Sequence, residues 1–342
     1  MANPHAQVYF GDRIVAADAA SVNVASSAVL YGLSVYTVFP VHVDGSARTA
    51  FRLDDHFRRL EESCKIIGID RFAAEWDFVK FRAAVVELIE RNAPVTDVFV
   101  RATVHVVESI PGTRVRGCAI QVSMFVYDAV PIVPQDGMRL KSSPWRRIPD
   151  NAIPSRAKVN GAYVNSVLAK QDAIDSGYDD CIFLDGNGHV CELSAANIFL
   201  VRNGTLITPD VSCDILDGIN RRTILTLAAE DGIPFVERTV DLTELYIADE
   251  VFVSGTSAGA APVTEVDGRL IADGRPGPIS QALRKRHAAA LRTDELHGWV
   301  TNLAEPSVQQ PIQRIPGVRG SGPRHTRMTQ PGAVSANGGA SG

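Results

Sequence analysis

Lys158 and Tyr163, both in the stretch SRAKVNGAYVNSVLAK (residues 155–170), are the side chains from which chemistry could start. A lysine on a short, rather apolar approach loses part of the solvation of its charged form, which lowers its pKa and frees the amine as a nucleophile able to form a Schiff base. The competing reading is a solvated surface lysine, the commonest fate of this residue type. Glu192 follows a short apolar run beside Cys191 and Leu193, where a buried carboxylate needs a cationic partner. A protonated pyridinium nitrogen would be one; otherwise Glu192 is a rim residue beside a turn. The run LDGINRR (216–222) puts Gly218 where a loop enters a helix, and helix N-terminal N–H groups bind anions. The run SGTSAG (254–259) closes a strand in small hydroxyl and glycine residues, suited to a phosphate or carboxylate, or else an ordinary turn. Arg59, beside Arg58 on a helical pattern, reads by itself as part of a solvated face.

The elements that must position these groups fall into two sets. Residues 8–15 read as a hairpin around Gly11-Asp12, and residues 34–43 as a strand turning at Asp44-Gly45. Residues 53–67 read as a helix with Phe57, Leu60, Cys64 and Ile67 on one face and Gly68 at its C-terminal end. A second helix is predicted over 76–91 and strands over 98–107 and 119–127, giving a small α/β domain at 1–127. Pro- and Gly-interrupted residues 128–138 read as a linker. Beyond it, residues 161–176 form a helical pattern with Val164, Leu168 and Ala169 turned inward. Short strands around Asp185-Gly-Asn-Gly and Asn203-Gly204 follow, so the larger domain, 139–303, is predicted to be barrel-like. Residues 304–342, rich in Pro, Gly, Gln and Ser, read as a disordered tail.

Composition narrows the classes. The chain has 342 residues and a formal net charge of −5, which gives no overall basic surface for nucleic acid. No apolar run reaches the roughly 20 residues of a membrane helix, and the N-terminus has no signal-peptide pattern, so a cytoplasmic location is expected. The five cysteines show no CxxC spacing, so no metal site is indicated.

Lys158 with Tyr163, then ELSAANIFLV with Glu192 and Asn197, then LDGINRRTI, then YIADEVFVSGTSAGAAPVTEVDGR occur in an order and spacing that resemble the class IV aminotransferases, the fold type IV pyridoxal phosphate enzymes. The branched-chain amino acid aminotransferases are the nearest resemblance, over about residues 8–303. It implies an α/β (α+β) fold with a small N-terminal domain and a larger barrel-like one, pyridoxal 5'-phosphate as cofactor, and a homodimer. Lys158 resembles the lysine that forms the Schiff base with the cofactor and then shuttles the α-proton. Glu192 resembles the carboxylate on the pyridine nitrogen, which keeps the ring an electron sink. Tyr163 would bond the ring's phenolic oxygen. Arg59, the N–H groups of Ile219 and Asn220, and the Thr256 hydroxyl would hold the phosphate.

The resemblance departs at the substrate side. Where branched-chain enzymes resemble YGxxxFEGIR, this chain reads Tyr31-Gly-Leu-Ser-Val-Tyr36-Thr37-Val38-Phe39-Pro40. A carboxylate-binding tyrosine is replaced by Phe99, while Arg101 is kept. The expected substrate side is therefore Tyr31, Tyr36, Val38, Phe99, Arg101 and the backbone at Ser257, with Val38 adding bulk and Thr37 removing a charge from its wall. The implied reaction moves an amino group between an amino donor and a 2-oxo acid acceptor. Alternatives within the fold are an aminodeoxychorismate lyase and a D-amino acid or (R)-amine aminotransferase; from a different class, a non-catalytic pyridoxal phosphate binder.

Overall fold

The computed structural model describes residues 4–109, 112–130, 133–134, 136–293 and 296–304; the expected tail lies, from residue 305 on, outside the described residues. The chain opens with the hairpin β1 (Gln7–Phe10) and β2 (Arg13–Ala16), turned at Gly11 with φ +74°. After the short α1 (Ser27–Leu30) come β3 (Ser34–Asp44) and β4 (Ala47–Phe51), then α2 (Leu53–Ile67), α3 (Arg71–Glu75) and α4 (Phe78–Asn92). The set closes with β5 (Val98–Val106) and β6 (Ile120–Asp128).

These strands make an antiparallel sheet in the order β4-β3-β5-β6-β1-β2. Because side chains alternate along a strand, Val98, Val100, Ala102 and Val104 of β5 enter a core against Phe57 and Leu60 of α2 and Val85 and Leu88 of α4. The other face carries Ser34, Tyr36 and Val38 of β3 opposite His105, Thr103 and Arg101, and Phe99 opposite Tyr127. Helix α2 ends as its sequence requires, at Gly68 with φ +84°.

The second half is built on β7 (Met138–Arg146), β8 (Asp180–Leu184), β9 (Val190–Leu193), β10 (Asn197–Arg202), β11 (Thr205–Thr208), β12 (Phe235–Glu237), β13 (Glu250–Gly255), β14 (Gly259–Val266) and β15 (Arg269–Leu270). Six of them close on themselves in the order β10-β13-β14-β7-β8-β9, with β9 pairing back to β10 through Glu192 and Asn197. The expected barrel is thus present. Leu140, Ile182, Ile198, Leu200, Val251, Val253 and Val263 fill it. Outside it lie α5 (Tyr163–Asp175), α6 (Ile219–Glu230), α7 (Leu242–Tyr246) and α8 (Pro278–Ala290); Phe199 and Phe252, stacked at 4.9 Å, pack with Ile224 of α6 and Leu283 of α8.

Two expectations are corrected. Helix α5 buries its small residues Ser166, Ala169 and Ala173, while Val164 and Val167 are each 65% exposed and Leu168 is 41% exposed. The face packed on β7 and β8 is the one that carries these small residues, which leaves the larger apolar side chains outside. The chain also comes back: β16 (Val300–Asn302) pairs antiparallel with β4, so residues read as the end of the larger domain complete the first sheet. That return is fastened at Arg52, a non-glycine residue at φ +50° whose buried guanidinium donates to Asp55 (2.6 Å) and to the Thr223 hydroxyl (2.8 Å). The Arg52 N–H donates to the Trp299 carbonyl at 2.5 Å, and the guanidinium lies over the Trp299 ring.

Candidate active site

Lys158 is placed by its backbone before its side chain does anything. β4 pairs only with residues 41–44 of β3, which leaves the same edge free at residues 34–36. The segment after Ala157 fills it: Val159 bridges Val35, and the Tyr36 N–H donates to the Lys158 carbonyl at 3.0 Å. The Lys158 N–H donates to Ser63 Oγ (3.1 Å), which itself donates to the Arg59 carbonyl of α2 (2.7 Å). Nζ then reaches the Tyr163 phenol at 2.7 Å and lies 5.0 Å from the centre of the Tyr36 ring. Burial pulls the amine below the ordinary lysine pKa; Tyr36 opposes this, and Arg59 adds to it. The same burial raises Tyr163, and pushes Tyr36 up to about 12.

One cavity, about 790 Å³ counting the space open to solvent, joins Lys158 and Tyr163 to Arg59, Glu192, Ile219, Asn220 and Thr256. All seven residues expected at the cofactor line it. At one end Arg59 is buried, not a solvated helix charge. Its Nη2 donates to Thr37 Oγ1 (3.0 Å) while Nε has no partner, and burial lowers its pKa to about 10. Beside it, α6 begins on Gly218 with no side-chain cap, and its hydrogen-bond ladder starts only at Arg222 N–H to Gly218 C=O, leaving the N–H groups of Ile219 and Asn220 ahead of it. The Asn220 side chain turns away to His287 (3.1 Å), so its contribution to this end is its backbone. Thr256 sits in the β13–β14 turn with its hydroxyl on the Val38 carbonyl at 3.3 Å. A buried cation with an unpartnered nitrogen, next to free helix N–H groups, has the chemistry to hold an anion such as a phosphate.

At the other end Glu192 has both oxygens engaged. Oε1 meets Arg147 Nη2 at 2.7 Å, and Oε2 accepts from Asn197 Nδ2 (3.0 Å) and the Leu216 N–H (3.2 Å). Gly218 permits this, since a Cβ there would lie 2.2 Å from Asn197 Oδ1. Burial raises the Glu192 pKa, and Arg147 and then Lys158 pull it back. Arg147 escaped the sequence reading. Only its place after β7, with Nε on the Asp214 carbonyl (3.2 Å), aims it at Glu192, and the Arg146-Arg147 dipeptide alone carries no such signal. The cavity therefore offers an anion cradle, a phenol and a low-pKa amine, and a carboxylate, the set that fits a phosphorylated pyridine aldehyde.

The residues expected at the substrate do not line this cavity. Tyr36, Val38, Phe99 and Arg101 share the open face of the first sheet. The Arg101 guanidinium lies 3.6 Å from the centre of the Tyr36 ring, and Phe99 packs against the Tyr127 ring. Tyr31, just past α1, is 42% exposed and its hydroxyl accepts from the Gly112 N–H. Ser257 lies in the same turn as Thr256. Thr37 departs from its expected place: it is fully buried, facing α2, where His56 Nδ1 (2.7 Å) and Arg59 share its hydroxyl. Its contacts are with Arg59 and His56 rather than with the open face of the sheet.

Comparison with known proteins identifies the family. Residues 34–266 match the family described as amino-transferase class IV. A probable branched-chain-amino-acid aminotransferase of Synechocystis sp. is 35% identical over 313 residues, 90% of this chain and 96% of that protein. The branched-chain aminotransferase of Thermoproteus uzoniensis, solved with norvaline, superposes with a TM-score of 0.83 at 32% identity, over 88% of this chain and 100% of that one. The branched-chain amino acid aminotransferase of Thermobaculum terrenum in its pyridoxal phosphate form gives 0.81 at 30% identity, over 88% and 99%.

Proposed function

Because this chain belongs to the class IV aminotransferases and is a pyridoxal-phosphate-dependent aminotransferase, we propose that Lys158 is its catalytic amine and that the cavity around it is the cofactor site. The observation that carries this is the amine 2.7 Å from the Tyr163 phenol, between the Arg59 cradle and Glu192. Arg59, the Ile219 and Asn220 N–H groups and Thr256 would hold the phosphate, and Tyr163 the ring hydroxyl. When bound, pyridoxal phosphate supplies an aldehyde carbon that carries the amino group and a protonated ring that draws electron density from the substrate α-carbon.

The chain's own residues do the rest. Glu192 would hold a proton on the ring nitrogen of the bound cofactor, with Arg147 and Asn197 aiming its carboxylate. Lys158, with its pKa lowered by burial, would move a proton to and from the substrate α-carbon. Arg101, with Tyr31, Tyr36 and the backbone at Ser257, receives the substrate carboxylate, while Val38 and Phe99 bound its side chain.

The substrates are an amino acid and a 2-oxo acid. We assign a donor of branched-chain type or a related one; the lyase, D-amino acid and non-catalytic alternatives gain no support from the relatives. We further place the enzyme in the cytoplasm as a homodimer. Supporting the dimer is the exposed apolar stripe of Val164, Val167 and Leu168, near which Val29 and Leu30 are also exposed, with Gly32 packed on Gly161. The two sheets are taken as two domains, 1–127 and 139–303 joined by 128–138, with β16 added to the first. Among the described residues no helix is long and apolar enough to cross a membrane. Borohydride reduction followed by peptide mapping tests the site: the reduced cofactor should be found on Lys158, and a label on any other lysine refutes it. Half-reactions with L-glutamate, L-leucine, D-alanine and an (R)-amine test the donor class.

A further inference from the structure

Arg101 makes no ion pair among the described residues, yet it is not loose. Its guanidinium is laid on the Tyr36 ring, and Nη2 donates to Asn160 Oδ1 at 2.5 Å. The other end of the same amide donates from Nδ2 to Ser34 Oγ at 2.8 Å, and Ser34 is buried. With a donor on its oxygen and an acceptor on its nitrogen, the Asn160 amide can stand only one way round. Asn160 is also two residues beyond Lys158, at the end of the segment that closes the β3 edge through Val35–Val159 and Tyr36–Lys158. The reacting amine and the restraint on the first sheet's free cation thus sit on one rigid stretch of backbone.

We propose that Asn160 is a positioning residue that fixes Arg101 for a substrate carboxylate without neutralising it. The residue type matters. An amide oxygen orients a guanidinium through a dipole and leaves its charge for an incoming anion, whereas a carboxylate in the same place would pair with it and compete. Stacking on Tyr36 supplies the second restraint, so the planar fork meets its ligand with little rotamer freedom left to lose. This deepens the aminotransferase reading and rests on its assignment of Arg101.

The test compares Asn160→Asp, Asn160→Ala and Arg101→Gln with the wild-type holoenzyme. For the donor chosen by the amine panel and for 2-oxoglutarate, Asn160→Ala should raise KM about ten- to a hundredfold, the equivalent of one lost hydrogen bond to a charged group. The isosteric Asn160→Asp should raise it at least as much, because Arg101 then has a competing carboxylate. In both variants kcat, pyridoxal phosphate affinity and melting temperature should stay near wild type. Binding of 4-methylpentanoate, followed through the cofactor absorbance band, should weaken in parallel. A KM unchanged in Asn160→Asp, or kcat and cofactor affinity falling together with KM, overturns the proposal. Arg101→Gln separates the two readings: if it too leaves KM untouched, the assignment of Arg101 fails; if it raises KM while Asn160→Asp does not, only the role of Asn160 fails.

Discussion

The cavity at the edge of the barrel and the open face of the first sheet are built on different terms. In the cavity each functional group is fastened by the protein itself: Glu192 by Arg147, Asn197 and Leu216, Arg59 by Thr37, Lys158 by Tyr163 and Ser63. On the sheet face Tyr31 stands exposed, Val38 and Phe99 offer only shape, and Arg101 is held in place by Asn160 and the Tyr36 ring. A permanent ligand rewards a site preorganised at every atom. A face that must accept a donor and then a different acceptor is held at one anchor and left otherwise adaptable. Substitutions in the cavity should therefore abolish chemistry or stability, while those on the face should shift the choice of substrate.

The largest effect expected is at Lys158. Lys158→Ala should leave the fold intact and remove turnover, and steady-state transamination persisting in the purified variant would contradict the contrast at its root. Next comes the buried pair. Arg147→Met strands the Glu192 carboxylate and should cost roughly 3–5 kcal/mol of stability, read as a fall in melting temperature that Glu192→Gln in the same chain largely restores. Glu192→Gln alone should bind cofactor but turn over far more slowly, since an amide cannot hold the ring proton. On the sheet face, Val38→Gly should improve kcat/KM for leucine, isoleucine and valine by at most about 1–3 kcal/mol. If wild-type kcat/KM for leucine and 2-oxoglutarate already equals that of any other pair tested, Val38 is not a specificity wall.

A smaller effect follows from the lowered pKa of Lys158. Between its folded value and the ordinary 10.5, the unfolded chain holds the proton and the folded chain does not, so apoenzyme stability from this group rises with pH across that window. Below the folded value both states are charged and the slope vanishes. The melting-temperature difference between wild type and Lys158→Met, followed upward from neutral pH, should change in favour of the wild type; a flat difference would show that the amine is not desolvated. The smallest effect is expected from removing residues 304–342. Leu303 is the last buried side chain described, and its N–H donates to the Arg48 carbonyl, so a chain ending there keeps β16 and should melt and turn over as the full chain does.

What the sequence shows and hides divides along the same line. Gly68 and Asn203-Gly204 were legible because the left-handed backbone there favours those residue types, and the barrel was legible from strand length and turn spacing. Local pattern also suggested that α5 turns Val164 and Leu168 inward, and there tertiary packing overrode it: the face set against β7 and β8 is the one with Ser166, Ala169 and Ala173. Arg147 on Glu192, Thr37 between His56 and Arg59, and Asn160 on Arg101 join residues far apart in the chain, and no periodicity within one segment encodes a contact between two.

Arg52 carries a consequence for biosynthesis. Its backbone N–H is held by Trp299 and its side chain reaches Thr223 on the helix whose first turn lines the cavity, while Arg59 rides on the helix that Arg52 begins. The last of these partners to be translated is Trp299, close to the end of the described chain. A nascent polypeptide that already contains Arg59, Lys158 and Glu192 still lacks the clasp that joins the two helices, and its first sheet still lacks β16. Cofactor capture should accordingly follow the synthesis of Trp299 rather than precede it. A chain truncated before Trp299 should therefore bind pyridoxal phosphate more weakly than the full chain, because it lacks both the Arg52 clasp and β16.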